Sequence, residues 1–252
     1  MPTDELPSGE VASLERAIVA AVAPPEVREA AGWIAAFDDG TVNRAKSAAP
    51  LSHDRADAGA VAAVRDEYVA RGLSPMYRVP QLAVFAAIEG QLARAGLQAQ
   101  QPTDVQVARS VDVARTMPTD GVRIDTKPDD AWASVFLGEG FDPVDGASRV
   151  RTLTRAAGSL FASIRDGDRV IAGGVLAFGH GWAGIHGMRT ALDFRGRRLA
   201  TRVLAALAQT ALDRGHPKLM LQVERANDAA QKLYARCGFE RAWTYAYWRE
   251  RQ

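Results

Sequence analysis

Apolar residues recur every three to four positions in some stretches of this chain and every second position in others. The switching between those two periods lays out its elements. In the first half the helical period covers Val11–Val22, closed by Pro24-Pro25. It returns at Ala58–Arg71, with Val61, Val64 and Tyr68 on one face, and at Gln81–Ala95, with Val84, Ile88 and Leu92 on one face. Gly72 and Gly96 end those two helices, as glycine does where a chain must leave a helix. Strands are predicted at Ala31–Phe37 and Thr41–Ala48 around the turn Asp38-Asp39-Gly40, at Met76–Val79 and at Val105–Val113. The second half reads as a strand at Val122–Thr126 and helices at Asp129–Leu137 and Ala147–Ala157. Strands follow at Leu160–Arg165, Val170–Phe178 and Trp182–Thr190. A helix at Arg197–Arg214 carries a stripe of Leu199, Val203, Leu207 and Ala211. Strand Lys218–Val223, helix Asn227–Cys237 and strand Ala242–Arg249 close the pattern.

The two halves echo each other. Arg71-Gly72 matches Arg214-Gly215, Tyr77-Arg78-Val79 matches Leu221-Gln222-Val223, and Leu92–Leu97 matches Tyr234–Phe239, at an offset of 142 to 144 residues. An internal duplication is expected. The polar stretch Met117–Gly121 marks the boundary, giving domains of residues 1–118 and 119–252.

Composition narrows the function classes. Among 252 residues, 31 Lys and Arg stand against 30 Asp and Glu, for a net charge of +1. A nucleic-acid binder generally shows a basic excess, and this chain has none. The single cysteine, Cys237, excludes an internal disulfide and fits a reducing compartment. The polar, acidic start Met1–Glu5 does not resemble a secretory leader, and no apolar run approaches a membrane span. The expectation is a soluble, cytoplasmic protein with neither nucleic-acid nor membrane partner; its oligomeric state is not readable. His53, His180, His186 and His216 lack ligand spacing, so no metal site is expected.

The densest chemistry lies in Gly187–Thr201, where a strand ends, a short arginine-rich loop follows and an amphipathic helix begins. A helix start leaves backbone N–H groups without partners and carries partial positive charge. With Arg195, Arg197 and Arg198 added, the segment reads as a phosphate receptor, for a pyrophosphate above all. The alternative is an arginine-rich, solvated helix start. The counterpart in the first half, Ser52–Asp57, has no glycine and one arginine, so that half looks unable to hold phosphates.

These residues resemble the GNAT superfamily of N-acetyltransferases, which use acetyl coenzyme A. The family's phosphate motif, Arg/Gln-x-x-Gly-x-Gly/Ala, is similar to Arg195-Gly196-Arg197-Arg198-Leu199-Ala200. The family's downstream pattern is similar to Leu219–Val223, Asn227, Ala230, Leu233-Tyr234 and Gly238-Phe239. The resemblance covers about residues 120–252. It implies an α/β (α+β) protein of two tandem domains, each a mixed, mostly antiparallel sheet flanked by helices, the first of them degenerate. Arg198 replaces the motif's central glycine. Arginine in a first helical turn is conformationally permitted, so the fold is expected to tolerate it. Its side chain would swing outward, contact a phosphate or crowd the site.

The resemblance further implies that residues Arg195, Gly196, Arg197, Arg198, Leu199, Ala200 and Thr201 hold the cofactor's pyrophosphate. Met188, Arg189 and Thr190 would meet its pantetheine arm and acyl carbonyl, with a backbone N–H stabilising charge on that oxygen. Asn227 is a preferred helix N-cap that the resemblance also places against the pantetheine. Tyr234 is either core or the acid that protonates the leaving thiolate. Glu224 is the candidate general base, against a solvated strand-end glutamate. His186, or water, is the alternative base; His180 is expected to be exposed in a turn. Cys237 reads as a packed thiol. The implied activity is acetyl transfer from acetyl-CoA to a primary amine, a small molecule or peptide, by direct attack in a ternary complex. A catalytically silent CoA-binding sensor or interaction protein is the alternative. Trp33, Trp132, Glu139 and Trp182 are expected near the acceptor cleft.

Overall fold

The computed structural model describes residues 8–137 and 142–251. The first half runs α1 (Ser8–Ala20), β1 (Glu26–Ala30), β2 (Trp33–Phe37), β3 (Ala48–Pro50), α2 (Ala60–Val69), β4 (Tyr77–Pro80), α3 (Ala86–Arg94), β5 (Gln98–Arg109) and α4 (Ser110–Ala114). The second half runs β6 (Arg123–Asp125), α5 (Asp130–Ser134), α6 (Pro143–Arg155), β7 (Leu160–Asp166), β8 (Arg169–Gly179), β9 (Trp182–Thr190), α7 (Leu199–Asp213), β10 (Lys218–Glu224), α8 (Asp228–Arg236) and β11 (Glu240–Arg249).

The eleven strands among the described residues form one sheet in the order β1-β2-β3-β4-β11-β5-β10-β9-β8-β7-β6. Strands from both sides of residue 118 therefore share it, and they interleave. β11 lies between β4 and β5, and β5 lies between β11 and β10, all antiparallel. Apart from β6, the order is symmetric about the β11–β5 pair. Each half contributes a strand pair that is parallel, β3 with β4 and β9 with β10, and each places its last strand beside the other half. The mixed, mostly antiparallel sheet flanked by helices matches the expected fold class.

Alternation along the strands decides which helix covers which face. Leu219, Leu221 and Val223 of β10 pack with Leu199, Val203, Leu204 and Leu207 of α7. Met220, one residue out of phase, packs with Val11, Leu14 and Ile18 of α1. α2 and α3 bury Val61, Val64, Tyr68, Ile88 and Leu92 over β2 to β4. Trp132, Phe136 and Leu153 of the α5–α6 region cover Phe161 and Val175.

Several elements differ from the sequence reading. The strand expected at Thr41–Ala48 is a 3-10 turn, Asn43–Lys46, followed by the short β3. Val42 and Ala45 are buried three residues apart, a helical and not a strand spacing. β2 forms its hairpin with β1 across Ala31-Gly32, whose backbones are both left-handed. β1 escaped notice because it is a charged, exposed edge strand, Glu26-Val27-Arg28-Glu29-Ala30. β5 begins seven residues before the expected Val105 and ends at Arg109, where α4 takes over. Several of its polar side chains find partners inside the fold, although Gln106 Oε1 stays buried without one. Asp104 accepts from Thr244 (2.6 Å) and Gln231 (3.0 Å), and Gln106 donates to Gln231 (2.7 Å). α6 starts earlier than expected because Asp142 caps it, accepting from the Asp145 N–H at 2.8 Å, with Pro143 in the first turn.

Candidate functional site

β9 and β10 run parallel but pair only at Ala183–Ile185 with Leu219–Leu221. Beyond that the strands part. β8 opposes Gly173 to Arg189 and Val175 to His186, so Gly174 faces both Gly187 and Met188, a β-bulge. Gly187 has φ +58°, and a Cβ there would stand 2.6 Å from Leu153 Cδ1. The bulge needs glycine for conformation and for space. Between the parted strands opens a cavity of about 260 Å³. Its lining comes from both halves: the 3-10 turn and β5 from the first, β9, β10, α8 and β11 from the second.

The arginine loop lies at the start of α7, after β9. Residues 195–198 are exposed, and a Cβ built on Gly196 meets nothing within 4 Å. Arg202 N–H is bonded to the Arg198 carbonyl, so the N–H groups of Leu199, Ala200 and Thr201 precede the first intrahelical bond of this kind. Arg198 makes no side-chain cap. This open, positively polarised turn fits a pyrophosphate. Arg197 lies 4.6 Å from the Phe194 ring, and Arg169 is paired with Asp193 at 2.7 Å on the same turn. The expected place of Arg198 needs correction. It is the N-cap and not a first-turn residue, and its backbone is left-handed at φ +57°. The motif's glycine belongs there because the cap turns through positive φ, a conformation that L side chains resist.

The structure brings Met188, Arg189, Glu224, Asn227 and Tyr234 together around the cavity; Thr190 follows at the end of β9 and does not line it. Asn227 caps α8, its side chain accepting from Ala230 N–H at 3.2 Å. Tyr234 is 7 % exposed and its ring meets Phe239 edge-on. Burial pushes its phenol up to about 12, so it stays protonated at neutral pH. Glu224 is exposed at the end of β10 and accepts from Gln101 at 2.7 Å. His186 also lines the cavity. It is 3 % exposed with both ring nitrogens unpartnered, and burial, then Arg44, holds it well below the usual imidazole range. Cys237 is buried, and burial pushes its thiol up. His180 is exposed in the β8–β9 turn. Among the described residues no cluster could hold a metal, and no helix is long and apolar enough to cross a membrane.

The tryptophans do not line the cleft. Trp33, Trp132 and Trp182 are buried in three separate packing clusters, and Glu139 lies outside the described residues. The residues that take their place were not legible: Arg44, Gln101, Gln222, Tyr245 and Tyr247. Only Gly187 left a signal, a glycine inside a strand pattern.

Comparison with known proteins bears on the fold and the family. A curated relative, the uncharacterized N-acetyltransferase YobR of Bacillus subtilis (strain 168), is 28 % identical over 115 residues, 45 % of this chain and 47 % of that protein; the chain thus matches about half the relative's length. A GCN5-related N-acetyltransferase from Kribbella flavida superposes with a TM-score of 0.71 at 15 % identity, covering 99 % of this chain and 97 % of that one. A tandem GNAT protein from the clavulanic acid biosynthesis pathway gives 0.60 at 16 % identity, covering 98 % and 88 %. These likenesses show the fold. The family described as "Probable histone acetyltransferase Rv0428c C-terminal" matches residues 8–248. The chain belongs to that acetyltransferase family, and its fold is that of the GNAT enzymes.

Proposed function

We propose that this protein moves an acetyl group from acetyl-CoA to a primary amine, by direct attack within a ternary complex. The observation that carries this reading is the parting of β9 from β10 above an open helix start, with a protonated tyrosine beside the gap. Acetyl-CoA supplies an activated thioester. The N–H groups at the start of α7, with Arg195, Arg197 and Arg198, hold its phosphates. Met188 and Arg189 line its arm within the cavity, as Asn227 does from α8, Thr190 meets it outside the cavity at the strand end, and a main-chain N–H near the bulge stabilises the carbonyl oxygen. The amine nitrogen forms the new C–N bond while the C–S bond breaks. Tyr234 gives its proton to the leaving sulfur, and the proton lost by the amine passes to Glu224 or to water. Cys237, buried and protonated, has no part.

Residues 119–252 form the cofactor-binding unit in this reading. Residues 1–118 are a degenerate copy that closes the acceptor side. The symmetric strand order supports duplication, and the glycine-free Ser52–Asp57 segment supports degeneration. A thiol-release screen of amine libraries with acetyl-CoA tests the activity, and release with at least one amine is expected. CoA binding by calorimetry without any release would favour a silent CoA sensor, a reading to which the tie between Glu224 and Gln101 lends some support.

A further inference from the structure

Two arginines lie about the paired hydroxyls of Tyr245 and Tyr247, which are 3.1 Å apart. Arg78 has its counter-charge: Glu15 of α1 stands 2.8 Å away, and both side chains are buried. Arg44 has none among the described residues. Among the described residues it donates from Nη1 to Gln222 Oε1 at 2.9 Å; burial lowers its proton affinity, the Tyr247 and Tyr245 hydroxyls oppose that, and the Arg149 and Arg78 cations add to it. Even a half-buried guanidinium beside other cations is costly without an anion. Yet the turn that bears it is fastened firmly. Thr41 N–H donates to Ser148 Oγ (2.9 Å), the Thr41 hydroxyl donates to Asp145 (2.7 Å), and the Asn43 amide donates to Gln101 (3.0 Å).

The neighbours of Arg44 are arranged as donors. Because Gln222 Oε1 accepts from Arg44, its NH₂ is turned away, and that nitrogen is buried without a partner. His186, held neutral, adds one ring N–H donor and one acceptor nitrogen, both unpartnered, to the same wall. Guanidinium and amide N–H groups side by side match the oxygens of a carboxylate. The lining holds Arg44, Arg149 and Arg189 with Glu224, and Asp145 just behind it pairs with Arg149 at 2.6 Å; the remaining positive excess disfavours a lysine-rich acceptor. We propose that the acceptor is an amine bearing a carboxylate, of the amino-acid class, and that Arg44 and the Gln222 amide receive that carboxylate. This rests on the reading of the chain as an acetyltransferase and narrows its substrate.

The test compares free amino acids, their carboxamides and an amidated lysine-rich peptide as acceptors, with acetyl-CoA as donor. Calorimetric binding of the same amino acids in the presence of CoA runs in parallel. The free acids should exceed the carboxamides in kcat/KM by about 100-fold, chiefly through KM, as expected when a buried charge loses its partner. Arg44→Gln should erase that ratio, Arg44→Lys should keep part of it, and Gln222→Leu should reduce it. Equal transfer to carboxamides or to the peptide, unchanged in Arg44→Gln, overturns the inference and leaves acetyl transfer standing. Arg44-dependent binding of amino acids with no transfer to any acceptor upholds the carboxylate site at Arg44 and Gln222 but overturns the acceptor assignment together with the enzymatic reading. Should Arg44→Gln fail to fold, the Arg44→Lys and Gln222→Leu ratios decide; no change in either sinks the proposal.

Discussion

Arg198 shows how much one backbone angle can hide. A left-handed arginine costs about 1–2 kcal/mol relative to a relaxed backbone, while glycine gives back roughly 0.5–1 kcal/mol through its freedom in the unfolded chain. Arg198→Gly should therefore stabilise the fold by up to about 1 kcal/mol, raising the melting temperature by roughly 2–4 °C; calorimetric melting measures it. The sequence shows that glycine has been replaced, but nothing in a one-dimensional motif says that the position is a cap with positive φ. Tyr234 was legible as a residue and not as a role, since an aromatic at helical spacing fits a core equally well. Its place on the cavity and its protonated state favour the acid role. Tyr234→Phe should lower kcat by about 10²-fold or more, the range for one general acid, with CoA affinity nearly unchanged. Initial rates and calorimetry separate the two effects.

At the level of elements, amphipathic helices and apolar strands were readable, and polar strands were not. β5 carries Gln98, Gln100, Gln101, Thr103 and Asp104, which resemble a loop until α8 and β11 supply partners for Asp104, β11 for Gln100 and β10 for Gln101. β1 and the Asn43–Lys46 turn failed for related reasons: edge exposure and a three-residue burial period. The bulge in β9 is the element feature on which the site most depends. Gly187→Ala would set a Cβ against buried Leu153 and hold alanine at φ +58°. A loss of about 1–3 kcal/mol is expected from left-handed strain and overpacking together. Turnover should fall as well, because Met188 and Arg189 are placed by that bulge. Denaturant titration beside initial rates checks both.

Over the whole molecule the halves are joined by exchanged strands, and small groups at the seam bear on global stability. His53, from the first half, meets Trp243 of β11 edge-on at 4.8 Å and Phe85 at 5.9 Å. Burial lowers its imidazole from 6.5 to about 4. Above pH 6.5 the ring is neutral in both states and its contribution is whole. Below that the unfolded chain takes the proton first, so stability falls as pH drops from 6.5 toward 4, by up to about 3 kcal/mol. His53→Phe should flatten this part of the acid slope; melts of both proteins between pH 7 and pH 4.5 give the difference.

By itself the sequence determined the local order of helices and apolar strands, the family likeness and the arginine loop, because periodicity, turn residues and a contiguous motif are properties of neighbours along the chain. Only the tertiary structure decided that β5 and β11 cross between halves, that Arg198 is left-handed, and that Arg44 stands beside Gln222, 178 residues away, with no acid to meet it among the described residues. Strand pairing and the balance of buried charge are set by which distant segments share a face, and no window of sequence contains both partners.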